Sequence, residues 1–384
     1  MTQTESPDTG KKPDINEVNV PWGRTSAYDQ WLTSLPVPTY KGYFIADLRT
    51  LELGWWEQRQ CYAAFVKLAG QEGVSETRVT EIPAAKSIAP FTMALDEIVY
   101  VVEGRGLASI WAEGKPKKTF EWQKHSLFLI PRNYYCRLGN AQGEKPARLL
   151  HYNTLPLALT LNPDPDFFFK NPYQDPKLLY GEDGTGFYSQ AKVVRQADSP
   201  TKAKNYWVGN FFPDMKAWDS LEPFKIRGAG GHVVWIRYPT SPLYNHMSVF
   251  PSRTYKKAHR HGPGTLIVIP AGEGYSLMWP EGRERIEIPW REASVFVPPN
   301  RWFHQHFNVG GAPARYLAFH FPKGFMQNSE KVEDRERDQI EYPNEDPFVR
   351  KKFAAELAKR GLVSLMPEDA YQDKNYQWQY AQGS

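Results

Sequence analysis

Apolar and polar positions alternate along this chain in short runs bounded by Gly, Pro and Asn, the period-two pattern of half-buried strands. The stretch Ala258 to Trp279 reads AHRHGPGTLIVIPAGEGYSLMW. It predicts a strand, a Gly-Pro-Gly turn, an apolar strand, a Gly-Glu-Gly turn and a third strand. A further apolar run follows at Ala293–Pro299, and upstream Tyr43–Asp47 and Gln60–Leu68 also fit strands. Two segments favour helix. Ser26–Ser34 fits a short one. In the tail, Glu345 or Asp346 caps a helix with Pro347 at its first position and Gly361 at its end. Phe348, Phe353, Leu357 and Leu362 give that helix an apolar stripe. The charged stretch Ser329–Ile340 fits a solvated helix.

The strand pattern occurs twice. Shifting the chain by 168 residues lays Phe91–Asn140 on His259–Asn308 without a gap, with ten identities in 50 positions. About three are expected by chance for average composition. Gly104, Gly106, Trp111, Glu113 and Gly114 fall on Gly272, Gly274, Trp279, Glu281 and Gly282. Trp122, Ser126, Phe128, Pro131 and Asn140 fall on Trp290, Ser294, Phe296, Pro299 and Asn308. Turn residues and core aromatics recur, so the repeated object is a backbone. The expected organisation is all-β. It has an arm over residues 1–20, a barrel over 21–155, a connector over 156–230, a second barrel over 231–322 and a helical tail over 323–384. The connector carries Phe167, Phe168, Phe169 and Tyr173, a group suited to a lid or to packing between barrels.

Composition agrees with packed cores: 41% of residues are hydrophobic and 14% aromatic, with 32 prolines and 28 glycines for turns. A net charge of +4 without a dense Lys/Arg track argues against nucleic acid as a partner. Lys117–Lys118 and Lys256–Lys257 read as solvated loop charges. Cys61 and Cys136 read as buried free thiols. The apolar runs are of strand length, so a cytoplasmic protein without membrane contact is expected.

The candidate chemistry lies in the second copy. His259 and His261 are one residue apart, so on a strand they share a face. His304 follows 43 residues after His261. Three neutral imidazoles converging in a barrel suit a divalent first-row metal, with coordination positions left open.

These residues resemble the cupin superfamily, and the duplication resembles a bicupin of two tandem jelly-roll barrels. The family's first motif, G-x5-H-x-H-x3,4-E-x6-G, is met by His259, His261 and Gly272, with Thr265 at the glutamate. The second, G-x5-P-x-G-x2-H-x3-N, is met by Pro299, His304 and Asn308, with Arg301 at the glycine. The first copy keeps Glu97 and Gly104 but carries Phe91, Met93 and Cys136 at the histidine positions, so its site reads as degenerate. The AHRH run and His304–His306 with Asn308 are similar to the gentisate and salicylate 1,2-dioxygenase branch. That branch places an arginine where this chain has Ile267, and its working site usually lies in the first barrel.

The resemblance implies a mononuclear Fe(II) held by His259, His261 and His304, with O2 and a chelating small-molecule substrate as partners. Chains would associate as dimers or tetramers. The reaction implied is dioxygenase cleavage of a C–C bond in a hydroxylated aromatic acid or an enolisable compound. His306 is a candidate proton relay, and Thr265 a candidate for orienting bound water. Arg237 and Arg253 are candidate carboxylate grips. Trp302 and Trp279, with Tyr275, Met278 and Phe303, are candidate apolar walls. Two other readings share the ligand pattern: an O2-independent hydrolase, lyase or isomerase using Zn, Ni or Mn, and a non-catalytic ligand-binding cupin.

Overall fold

The computed structural model describes residues 25–180, 186–199, 202–217, 222–322 and 335–380. The expected arm over residues 1–20 lies outside them, as does the first half of the expected charged helix Ser329–Ile340. What is described of that helix is one turn, Arg335–Asp338, followed by a short strand, Gln339–Ile340.

The chain forms two tandem jelly-roll barrels. In the first, Cys61–Leu68, Glu76–Ile82, Ala147–Asn153, Glu97–Glu103 and Leu127–Ile130 lie side by side in that order. They face a sheet of Tyr135–Asn140, Arg105–Trp111 and Lys118–Gln123. In the second, the order is His232–Arg237, Tyr244–Phe250, Ala314–His320, Leu266–Ala271 and Val295–Phe296. The facing sheet runs Ile286–Trp290, Gly274–Trp279, Phe303–Asn308 and Ala258–His259. The neighbour order is the same in both halves. Glu76–Ile82 maps onto Tyr244–Phe250 at the same shift of 168, so the repeat extends beyond the stretch where identities reveal it.

Several repeated identities have a packing cause. A Cβ on Gly274 would sit 1.9 Å from the Phe307 carbonyl and 2.5 Å from the Trp290 ring. On Gly106 it would sit 1.9 Å from the Gly139 carbonyl and 2.4 Å from the Trp122 ring. Each tryptophan thus packs on a bare backbone that only glycine provides. Asn308 bonds the carbonyls of Pro251 and Ala312, and Asn140 those of Ile82 and Lys145, so both tie strand to loop.

The two halves exchange edge strands. Phe44–Ile45, ahead of the first barrel, pairs with Val295–Phe296 of the second. Phe211–Phe212, ahead of the second, pairs with Leu127–Phe128 of the first. The repeated serines close both exchanges: Ser294 Oγ donates to the Ala46 carbonyl and Ser126 Oγ to that of Pro213, each at 2.6 Å. Between the barrels the large sheets bury one continuous apolar layer. It includes Val66, Val79, Tyr100 and Tyr152 from one half and Ile236, Met247, Val268 and Phe319 from the other. Removing these side chains from water is the main force holding the halves together.

One helix expectation shifts. The tail helix runs Pro347–Ala358 with Asp346 accepting from Phe348 N, but it buries Val349, Phe353 and Leu357 while Phe348 is exposed. Phe348 is the second helical residue and lies off the buried stripe. The aromatic group of the connector covers the first barrel: Phe169 stacks on Trp31, and Phe168 joins the cluster around Tyr28 and Leu159. Both cysteines are buried and free. No helix among the described residues is long and apolar enough to cross a membrane.

Candidate metal centre

Pairing of Ala258–His259 with Phe303–Asn308 sets His259 directly across from His304. His261 follows at the start of the Gly262-Pro263-Gly264 turn. Gly264 holds a φ of +80°, and a Cβ there would meet the Phe321 ring at 2.8 Å. That turn is fastened to the first barrel. Gly264 N donates to the Gly70 carbonyl at 2.8 Å, and its own carbonyl accepts from Tyr152 Oη at 2.9 Å and Ser75 Oγ at 3.2 Å. The degenerate barrel thus positions a histidine loop of the other.

One nitrogen from each of His259, His261 and His304 lies within 4.8 Å of the others, and all three side chains are buried. His304 Nε2 and His259 Nε2 are 3.1 Å apart. His261 Nδ1 donates to the Gly262 carbonyl at 2.7 Å, and His304 Nδ1 to that of Trp302 at 3.2 Å. Those bonds leave both Nε2 lone pairs free to face the common centre. Burial holds His259 and His304 well below the ordinary histidine range and brings His261 down to about 4. All three are neutral at pH 7, the form that donates to a metal. A donor set of three convergent neutral imidazoles fits a divalent first-row ion.

His306 is buried on the same face, its ring 5.6 Å from that of His304. Its Nδ1 accepts from Ser276 Oγ at 2.8 Å, while Ser276 accepts from Trp290 Nε1 at 3.0 Å. Thr265 Oγ1 is 3.3 Å from His320 Nδ1, and His320 Nε2 is 2.8 Å from His246 Nδ1. Thr265 therefore partners a second, buried histidine pair.

Other expected residues lie elsewhere. Trp279 faces out of the barrel: Met278 is the residue opposite His304, so alternation turns Trp279 the other way. There Trp279, Tyr275 and Phe303 pack under the tail helix. The apolar stripe of the tail helix thus covers the outer face of that sheet. Trp302 is half-buried against Tyr43. Arg237 lies over the rings of Tyr244 and Tyr206, at 4.3 and 5.3 Å. Arg253 occupies a turn at φ +57°, where its carbonyl accepts from Leu365 N. Neither arginine joins the triad.

Lys256 corrects the expectation of a solvated charge, for it is fully buried. Tyr255 points outward onto Phe307 and the tail helix, so alternation sends Lys256 inward. Its Nζ bonds Ser248 Oγ and, at 3.2 Å, Tyr316 Oη. Asp338, within the stretch read as a solvated helix, bonds Arg260 beside the first two ligands at 3.1 Å and Arg301 ahead of the third at 3.3 Å. Arg301 adopts φ +60°. This left-handed backbone accounts for the glycine usual at that motif position.

In the first barrel the corresponding interior holds charges. Arg78 bonds Glu97 at 2.7 Å and also Glu76, while Glu97 accepts from His151 at 2.7 Å and Asn153 at 3.0 Å. Phe91, at the first histidine position, lies under the Arg59 guanidinium at 4.0 Å. Among the described residues, the three-histidine group is the one cluster of His, Cys, Asp and Glu arranged to hold a metal.

No family model matches the chain, and no curated protein matches it. Solved structures similar to it include Lactobacillus farciminis oxalate decarboxylase in a formate complex, at 12% identity and TM-score 0.47, over 75% of this chain and 88% of that one. Bacillus subtilis oxalate decarboxylase is similar at 10% identity and TM-score 0.48, over 88% of each chain. The coconut allergen cocosin is similar at 12% identity and TM-score 0.47, over 84% of this chain and 97% of that one.

Proposed function

We propose that the chain is a mononuclear metal enzyme in which His259, His261 and His304 hold Fe(II), and that it cleaves a C–C bond of a hydroxylated aromatic acid or enolisable substrate with O2. The observation that carries this reading is the convergence of three neutral imidazole nitrogens within 4.8 Å, on a rigid sheet and without a carboxylate. Ferrous iron bound there supplies the redox chemistry that joins O2 to an organic substrate. The protein's own contributions are binding, orientation and proton control. Three neutral ligands leave the charge of the ion to be offset by an anionic substrate. Burial excludes water from the reacting groups. His306, buried on the same face as His304, holds or donates a proton beside the centre. Thr265 and His320 line the opposing sheet, and Trp302 supplies the carbonyl that orients His304.

The test is metal analysis of the purified chain, then anaerobic Fe(II) loading and an oxygen-electrode screen. Substrates include gentisate, salicylates, hydroxynaphthoates, catechols and β-diketones. Stoichiometric O2 uptake that disappears in His304→Ala supports the proposal. Anaerobic turnover with Zn, Mn or Ni in place of iron replaces it with Lewis-acid chemistry.

A further inference from the structure

The interior of the second barrel holds a lysine without a carboxylate partner among the described residues. Lys256 is fully buried, and its side chain meets two neutral hydroxyls and three aromatic faces. Its Nζ stands 4.7 Å from the Tyr316 ring, 5.0 Å from Phe224 and 5.1 Å from Phe250. Ring faces favour a cation but carry no net charge. Arg227 adds positive field at Lys256 and His306, and among the described residues no carboxylate is in ion-pair contact with the Lys256 amine. A buried ammonium without a counter-ion is costly, and burial accordingly lowers the Lys256 amine well below its ordinary range. The first barrel shows what structural neutralisation looks like in this fold, with Arg78 bonded to two buried glutamates. The second barrel departs from that pattern beside its three-histidine group.

Lys256 is also near that group. Its backbone N donates to the His306 carbonyl at 3.0 Å. The Tyr316 ring whose hydroxyl touches Nζ is 5.1 Å from the His306 ring, which is 5.6 Å from that of His304. The Tyr316 phenol and the His306 imidazole therefore lie between the amine and the candidate ligands.

We propose that Lys256 is the anchor for the carboxylate of an anionic substrate whose remaining donor atoms reach the three-histidine centre. This rests on the metal reading above and adds to it the substrate's charge and the residue that recognises it. The ligand supplies the missing counter-ion, and the aromatic cage together with the Ser248 and Tyr316 hydroxyls holds the ammonium in place. A neutral catechol or diketone lacks the group this pocket selects.

The probe is salicylate, with catechol as the control without a carboxylate, titrated into the Co(II)-loaded full chain and followed in the visible spectrum. The expected result is salicylate binding at least tenfold tighter than catechol in the wild type. In Lys256→Met salicylate affinity falls at least tenfold, while Co(II) stoichiometry and catechol affinity stay within twofold. Lys256→Gln, which keeps hydrogen bonds to the two hydroxyls, takes its place if the methionine variant does not fold. Equal salicylate affinity in wild type and variant, or no preference for salicylate over catechol in the wild type, overturns the proposal. Failure of the wild type to take up Co(II) overturns the metal reading instead. Salicylate titration of the metal-free chain by tryptophan fluorescence then decides Lys256 separately, by loss of binding in the variant or by its retention.

Discussion

Arg78 and His246 stand 168 residues apart at matching places on matching strands, the first buried and the second half-buried. Arg78 bonds Glu97 and Glu76, whereas the positions matching those two acids in the second barrel are Thr265 and Tyr244. One barrel has filled its interior with an internal ion-pair set, and the other has kept neutral histidines.

Arg78→Met is therefore expected to cost roughly 3–5 kcal/mol, because it strands two buried carboxylates. Metal content is expected to stay at the wild-type value, since Arg78 belongs to the barrel without the three-histidine group. Chemical denaturation alongside elemental analysis checks both. A drop in metal content without loss of stability would place the ion in the first barrel.

Replacement of the candidate ligands has the complementary signature. His304→Ala is expected to lower bound metal at least tenfold with a small effect on folding. His306→Ala is expected to keep the metal and to lower turnover by about 10–100-fold, the range for groups that support a site without ligating it. Tyr152→Phe, across the barrel interface, removes the bond to the Gly264 carbonyl and is expected to weaken metal retention several-fold in a chelator challenge. Identical retention would mean that the first barrel does not steady the histidine loop.

The double barrel was legible because its markers are backbone constraints. Gly106 with Trp122, and Gly274 with Trp290, are packing units that leave the same trace in both halves. The three-histidine cluster was legible because His259 and His261 are one residue apart and His304 lies on the strand that pairs with His259. Facing was harder to read. Tyr275, Trp279 and Phe303 resemble cavity walls in the sequence. They lie under a tail helix whose docking site depends on contacts with residues about 50–80 positions away. Lys256 misled for the opposite reason: a Lys-Lys pair in a turn-rich stretch looks solvated, and only the pairing of Tyr255 with Phe307 turns the first lysine inward. Asp338 joins both histidine motifs from outside either, a contact with no local signal.

The exchanged edge strands predict one cooperative unit. Ser294→Ala and Ser126→Ala each remove the hydroxyl that closes an exchange, and each is expected to cost on the order of 1 kcal/mol. Both variants are expected to unfold in a single calorimetric transition. The arm of one half completes the other half's sheet, so neither barrel is closed alone. Two separated transitions would show that the barrels fold independently.

The buried histidines set the acid limit of the metal-free protein. His246 and His320 bond each other, and burial lowers both well below the ordinary range, with His261, Lys256, Arg227 and Arg237 adding positive field. In the first barrel, burial pushes His125 down to about 4. In the unfolded chain each titrates near the ordinary value of about 6.5. Between those limits the unfolded state binds more protons, so stability is full above about pH 6.5 and falls as pH drops toward about 4. Glu345 works against this: burial pushes it up to about 7, so the folded state holds its proton more tightly and gains stability as pH falls below 7. Glu76 and Asp96, also raised by burial, act in the same direction as Glu345, but the lowered carboxyls Glu97, Asp47 and Asp338 act with the imidazoles, which together prevail. The melting temperature of metal-free protein is expected to fall steadily from pH 6.5 to pH 4.5, and His246→Gln is expected to flatten that slope. A melting temperature unchanged over this interval would mean that the histidines of the barrel interior are already reached by water in the folded chain.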